Sequence, residues 1–359
     1  MSDLAARLLR QQLSDLVPYE SARRLGGDGE IWLNANENPY SHSYELDDSR
    51  FGRYPEFQPP ELIDRYAAYA GVSNQQLLAT RGADEGIELL IRTFCEPQQD
   101  KVIICPPTYG MYAISARTNL VDVVNVPLDD DYQVDVDGVL NNISANMDSV
   151  KLVFVCSPNN PTGHDMQPAK LRQLLEALKD QALVVVDEAY IEFSAQPSVL
   201  SWLSEFPNLV VLRTLSKAFA LAGIRCGFTL ANEAVIQQLA KVIAPYPVPE
   251  PVAQVAIQAL SDDNLKAVAA EVAGLNALRA EFAATMQELT DVFPSSGNYV
   301  LFRVPNALAC MKAMADAGII LRNQSKQLTL QNCIRVTIGT EQEMARTTSA
   351  LQAYFKEAM

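Results

Sequence analysis

Leu209-Val210-Val211-Leu212-Arg213-Thr214-Leu215-Ser216-Lys217 opens as an unbroken apolar run and closes on a lysine. The apolar part reads as a strand buried on both faces, the kind found inside a parallel sheet. A lysine at such a strand end, flanked by apolar and small residues, is partly desolvated. Desolvation disfavours the ammonium and leaves an amine able to attack a carbonyl. Ser216 beside it and Arg225 eight positions on are both phosphate-binding residue types.

Outward from this run, strand-like segments recur at 77–80, 102–105, 121–126, 152–156, 183–186 and 209–212. Helical periodicity lies between them, as in Ile87, Leu90, Ile91 and Phe94 or over 171–178. Buried strands alternating with helices predict an α/β fold with a mostly parallel, doubly wound sheet. Pro245, Pro247, Pro249 and Pro251 then break the pattern, since prolines at this density continue neither a helix nor a central strand. After them come a long helical pattern over 252–289, hairpin-like strands at 299–304, 319–322 and 333–338, and a closing helix. The expected organisation is an N-terminal arm over 1–45, a large domain over 46–247 and a smaller α+β domain over 248–359. The first 13 residues read as a short amphipathic helix, not a secretory leader.

Bulk properties exclude several classes. The chain has 359 residues, 48% of them hydrophobic and 20% charged, an ordinary balance for a globular enzyme. A formal charge of −15 argues against nucleic acid or an anionic membrane as partner. No apolar run reaches the ~18 residues of a membrane span. An anionic small molecule needs a local arginine cluster to overcome such a field. The six cysteines are scattered without a C-x-x-C pair and suit a reducing cytoplasm. His42 and His164 are the only histidines, and neither has a neighbour at metal-ligand spacing, so no metal site is expected.

Chemistry-bearing residues gather at the ends of the strands. Gly82-Ala83-Asp84-Glu85-Gly86 lies between a strand and an amphipathic helix, where the first free amides of the helix suit an anion. Asp84 also suits a helix cap. Tyr109 follows the strand at 102–105 and offers a stacking face, or a tyrosine at the edge of the core. In Ser157-Pro158-Asn159-Asn160-Pro161-Thr162-Gly163 a rigid turn aims the Asn160 amide, which could donate to a phenolate-type oxygen. Asp187, in Asp187-Glu188-Ala189-Tyr190, directly follows a buried strand and is costly there unless paired. A protonated pyridine nitrogen would be such a partner, and Tyr190 can reach the oxygen of the same ring. In open α/β sheets the carboxyl ends of the strands form the ligand crevice. Stacking face, oxygen donor, nitrogen partner, amine and phosphate ligands converge there, and together they describe a pyridoxal phosphate site.

These motifs, with Asn34-Ala35-Asn36-Glu37-Asn38-Pro39, Arg53-Tyr54-Pro55, Arg81 to Glu85 and Cys105 to Tyr109, resemble the fold-type I pyridoxal phosphate-dependent aminotransferases. Within that fold the chain is similar, over essentially its full length, to the histidinol-phosphate aminotransferase family. The resemblance implies that Lys217 bonds the cofactor, Asp187 pairs with its ring nitrogen and Tyr109 stacks on the ring. Asn160 and Tyr190 would face the ring oxygen. Ser216, Arg225 and the amides of Ala83 and Asp84 would hold the phosphate. It also implies a homodimer in which Tyr54 reaches the neighbouring subunit's cofactor phosphate. Tyr19 and Asn36 match positions that line the family's substrate pocket, and Arg322 and Arg335 match its anion-binding arginines. Each arginine also suits a strand-end salt bridge. The implied reaction passes an amino group between histidinol phosphate and 2-oxoglutarate in histidine biosynthesis. An aromatic amino-acid aminotransferase and a threonine-phosphate decarboxylase of the same fold are alternatives. A cofactor-sensing regulator would need a basic DNA-binding module that this chain lacks.

Overall fold

The computed structural model describes residues 4–18, 28–146 and 149–358. After the short β1 (Ile31–Trp32) come β2 (Leu77–Thr80), β3 (Lys101–Ile104), β4 (Asp122–Asn125) and β5 (Val150–Cys156). They are followed by β6 (Leu183–Asp187), β7 (Leu209–Thr214) and β8 (Gly227–Ala231). These last seven form one sheet in the order β2-β8-β7-β6-β5-β3-β4. β8 runs antiparallel to both its neighbours, and the other pairs are parallel.

Alternate residues of the central strands feed two separate cores. Val153, Val155, Val184, Val186, Leu209 and Val211 face one, and Leu152, Phe154, Val185, Val210 and Leu212 face the other. Both faces are therefore apolar, which is why the sequence shows unbroken runs instead of alternation. Register aligns the strand ends: Cys156 of β5 pairs with Asp187 of β6, and Asp187 with Leu212 of β7. The turns that follow these strands consequently open side by side.

The C-terminal region has its own sheet, built from β9 (Tyr299–Arg303), β11 (Arg322–Asn323) and β12 (Cys333–Thr337), antiparallel in the order β11-β12-β9. β10 (Ile319–Ile320) pairs instead with β1, in parallel. The run expected as one strand over 319–322 is thus divided. Its first half is taken by the N-terminal segment and its second by β12, a competition that no local pattern reveals.

The helical pattern expected over 252–289 is two helices, Glu250–Ala259 and Asp262–Gln287. Ser261 is extended at the break, and Asp262 and Asp263 occupy the first turn of the second helix. An extended serine before two acids is a helix start signal that outweighed the continuous periodicity. Pro249 and Pro251 stand at the start of the first of these helices, where a missing amide costs nothing. The helix expected near the N-terminus spans only Leu4–Leu8 and buries none of its residues. It is too short for an apolar stripe, and none of the described residues buries it. No helix among the described residues is long and apolar enough to cross a membrane.

Candidate active site

The turns after β5, β6 and β7 meet the start of helix Ala83–Phe94 and the strands of the smaller sheet around a cavity of about 270 Å³. Lys217 projects from the loop after β7. Its Nζ donates to the carbonyl of Ala35 at 3.0 Å. Burial, then the nearby Arg335 guanidinium, pulls its pKa down to about 8, so the neutral amine is accessible near physiological pH.

Asp187 ends β6 and is 3% exposed. The Tyr112 hydroxyl donates to its Oδ2 at 2.7 Å and the Ala189 amide to its Oδ1 at 3.1 Å. Burial nevertheless lifts its pKa to about 6, because two neutral donors do not replace water around a carboxylate. The cavity therefore contains an acid that a cationic ligand atom would stabilise.

At the other end, Gly82 caps helix Ala83–Phe94 with φ of 78°. A residue without a Cβ there leaves room for the Arg225 guanidinium; a Cβ on Gly82 would lie 2.8 Å from Nη2. Arg225 Nη1 donates to Ser216 Oγ at 3.2 Å and Nη2 to Asp84 Oδ2 at 3.2 Å. Tyr109 Oη donates to the other oxygen of Asp84 at 2.9 Å. The Asp84 carboxylate thus holds an arginine and an aromatic ring at the start of the helix.

Between these ends, Asn36 Nδ2 and Asn160 Nδ2 donate to Tyr190 Oη at 3.0 and 3.2 Å. Arg335 Nη1 donates to Asn160 Oδ1, which fixes the amide with its nitrogen toward the tyrosine. Arg335 Nη2 donates to the Asn34 carbonyl at 2.9 Å. Arg322 lies directly opposite Arg335 in the antiparallel register of β11 and β12, and both line the cavity.

Residues 28–351 match the family model described as aminotransferase class I and II. The chain is 55% identical over 347 residues to a histidinol-phosphate aminotransferase of Yersinia enterocolitica, covering 96% of this chain and 92% of that protein. It is 53% identical over 351 residues to the Vibrio parahaemolyticus histidinol-phosphate aminotransferase, covering 97% and 99%. This chain belongs to the histidinol-phosphate aminotransferases, within the class I and II aminotransferases. A solved histidinol-phosphate aminotransferase from Sinorhizobium meliloti, in complex with pyridoxal-5'-phosphate, shares the fold. Its TM-score is 0.82 at 24% identity, with 98% of each chain covered.

The cofactor of this aminotransferase is pyridoxal phosphate, and the donor set fits it. A dianion suits the Ser216, Arg225 and helix-amide end, and a protonated ring nitrogen suits the underpaired carboxylate of Asp187. Ala83, Asp84, Tyr109, Asn160, Tyr190 and Asn36 also line the cavity with these groups. Tyr54 does not join them. It is 81% exposed and stacks on Tyr246, ring centroids 4.5 Å apart. Tyr19 lies outside the described residues.

Several site residues of the aminotransferase were not foreseen. Tyr112, on helix Met111–Thr118, reads in sequence as a core aromatic, and nothing local ties it to Asp187. Thr108, Thr214, Gln324 and Gln327 line the cavity too. Gln327 Nε2 donates to the Thr108 carbonyl at 3.2 Å, joining the smaller region to the turn that carries Tyr109. Asn159, beside Asn160, clamps that turn through bonds to Pro107 and Thr108.

Proposed function

We propose that this enzyme transfers an amino group between histidinol phosphate and 2-oxoglutarate, with imidazole-acetol phosphate and glutamate as the other pair, in L-histidine biosynthesis. The observation that carries the substrate assignment is the cross-strand pair Arg322 and Arg335. Like charges directly opposite each other destabilise a sheet. A guanidinium pair facing a cavity is sensible when an anion occupies the space between, and guanidinium forks pair with phosphate or carboxylate alike. One anion subsite can therefore serve the phosphate of one substrate and the distal carboxylate of the other.

The cofactor supplies a protonated ring that accepts the electron pair left when the substrate carbon loses its proton. Lys217 Nζ, its ammonium disfavoured by burial, is the base that takes that proton from the amine-bearing carbon. Asp187 holds the ring nitrogen protonated. Tyr190, oriented by Asn36 and Asn160, steadies the ring oxygen. Ser216, Arg225 and the Ala83 and Asp84 amides would hold the cofactor phosphate, and Tyr109 would offer a stacking face for its ring.

The reading includes a homodimer, with Tyr54 serving the partner's site. Its exposure and that of Leu8, 81% and 74%, support an uncovered surface that a second copy would bury. We assign the cytoplasm, because all six cysteines are free and buried. The division into an arm over 1–45, a large domain over 46–247 and a small domain over 248–359 is part of the same proposal.

The test is kcat/KM for histidinol phosphate and for histidinol in wild type, Arg322→Ala and Arg322→Lys. Loss of one charge-assisted bond to phosphate costs about 1.5–3 kcal/mol, so Arg322→Ala should lose one to two decades with the phosphorylated substrate only. Lysine should recover part of that, since it supplies charge without the planar fork. An equal loss with both substrates would make Arg322 structural. Carbon dioxide release from threonine phosphate without consumption of 2-oxoglutarate would favour a decarboxylase instead.

A further inference from the structure

Tyr112 is fully buried on helix Met111–Thr118, and its position joins two functional side chains that the sequence keeps apart. Its hydroxyl donates to Asp187 Oδ2 at 2.7 Å. Its ring stacks on Phe154 of β5, centroids 5.0 Å apart and planes 12° from parallel. It also meets the Tyr109 ring edge-on at 5.6 Å and 86°. Phe154 fixes the ring and the ring fixes the hydroxyl, which donates to one carboxylate oxygen of Asp187 and also meets the Cys156 thiol. We propose that Tyr112 is the positioning residue of Asp187: its hydroxyl orients the carboxylate toward the cavity and keeps it in the anionic form that pairs with a ring nitrogen. This rests on the reading of Asp187 given above.

The surroundings make such a donor necessary. Charged and titratable neighbours of Asp187 are Asp84 at the helix start, Glu188 beside it, Cys156 on β5 and Tyr190 after the strand, with Lys217 across the cavity. The acids among them disfavour a further negative charge. The Tyr112 hydroxyl and the Ala189 amide act the other way. Tyr112 is itself held protonated, since burial and then the Asp187 charge push its own pKa up, so it stays a donor throughout the working pH range. The arrangement balances an acid that is buried to meet a cation against its tendency to take up a proton while waiting.

The experiment measures the dissociation constant of pyridoxamine 5'-phosphate from the cofactor-free protein between pH 5.5 and 9. This probe cannot condense with Lys217, so that amine's chemistry does not enter. In Tyr112→Phe the ring contacts remain and only the hydroxyl is lost. Binding should weaken about threefold at pH 6.5 and about eightfold at pH 5.5, and recover toward wild type by pH 9, the midpoint moving up by about one pH unit. Replacing Tyr112 with 3,5-difluorotyrosine, a more acidic phenol of similar shape, should move the midpoint down, and it carries the test should the phenylalanine variant not fold. Equal weakening at every pH, or no change, overturns the proposal and leaves Tyr112 a packing residue. Asp187→Asn is the control: if it binds the probe as tightly as wild type at all pH values, the reading of Asp187 itself falls.

Discussion

Asp187 shows how a functional residue can be a liability to the protein that carries it. Its folded pKa, about 6, lies above the ordinary 3.8, so the folded chain holds the proton more tightly than the unfolded one. The stability this gives is fully present below about pH 3.8 and is lost as pH rises through about 6. At pH 8 the cofactor-free protein therefore carries an ionised, buried carboxylate that destabilises it. Asp187→Asn should raise the melting temperature of the cofactor-free protein by a few degrees at pH 8 and give no gain near pH 4. The same variant should lose at least tenfold in turnover, about 1.4 kcal/mol of barrier. A melting temperature that falls at pH 8, or shifts equally at both pH values, would remove the electrostatic account. Asp187 was legible in sequence because a carboxylate directly after an apolar strand is anomalous. Tyr112 was not, because an aromatic facing a helix's own core is the ordinary case.

At the scale of elements, the phosphate end of the cavity depends on how closely β8 approaches the start of helix Ala83–Phe94. A Cβ on Gly227 would lie 2.6 Å from the carbonyl carbon of Gly82 and 2.8 Å from the Ala83 nitrogen. Both are backbone atoms and cannot swing aside. Gly227→Ala should force the strand and the helix apart, costing about 1–3 kcal/mol of stability and displacing the amides proposed to hold the cofactor phosphate. Cofactor affinity, measured by titration of the cofactor-free variant, should fall at least tenfold. Unchanged affinity would mean that the amides and Arg225 do not act as a unit. Sequence reading identified Gly82 at a strand-to-helix junction but missed β8 altogether. That strand sits antiparallel between β2 and β7, distant in sequence from β2, and its five residues carry no local mark of their partners.

For the whole molecule, the testable proposal is that each site is shared. Tyr54 is outside its own chain's cavity, whereas Lys217 is inside it. Mixing Tyr54→Phe with Lys217→Ala under conditions of subunit exchange should give heterodimers with one wholly native site and one doubly defective site. Random exchange in a two-fold dimer predicts about a quarter of wild-type activity above the residual of the parents. Additive, unrecovered activity after confirmed exchange would place Tyr54's effect within its own subunit.

The sequence alone determined the sheet class, the residues at the strand ends and the kind of cofactor they suit. Those features are local: an apolar run specifies burial on both faces, and a proline- or glycine-rich turn after it specifies where the chain opens to a ligand. What tertiary structure decided was every relation between segments far apart in the chain. It divided the run over 319–322 between β1 and β12, inserted β8 into the main sheet, and set Arg322 opposite Arg335. It also gave Asp84 to Arg225 and Tyr109, and Asp187 to Tyr112. A hydrogen bond or an ion pair depends on distance in space, and side chains tens of residues apart meet only after the strands have chosen their neighbours.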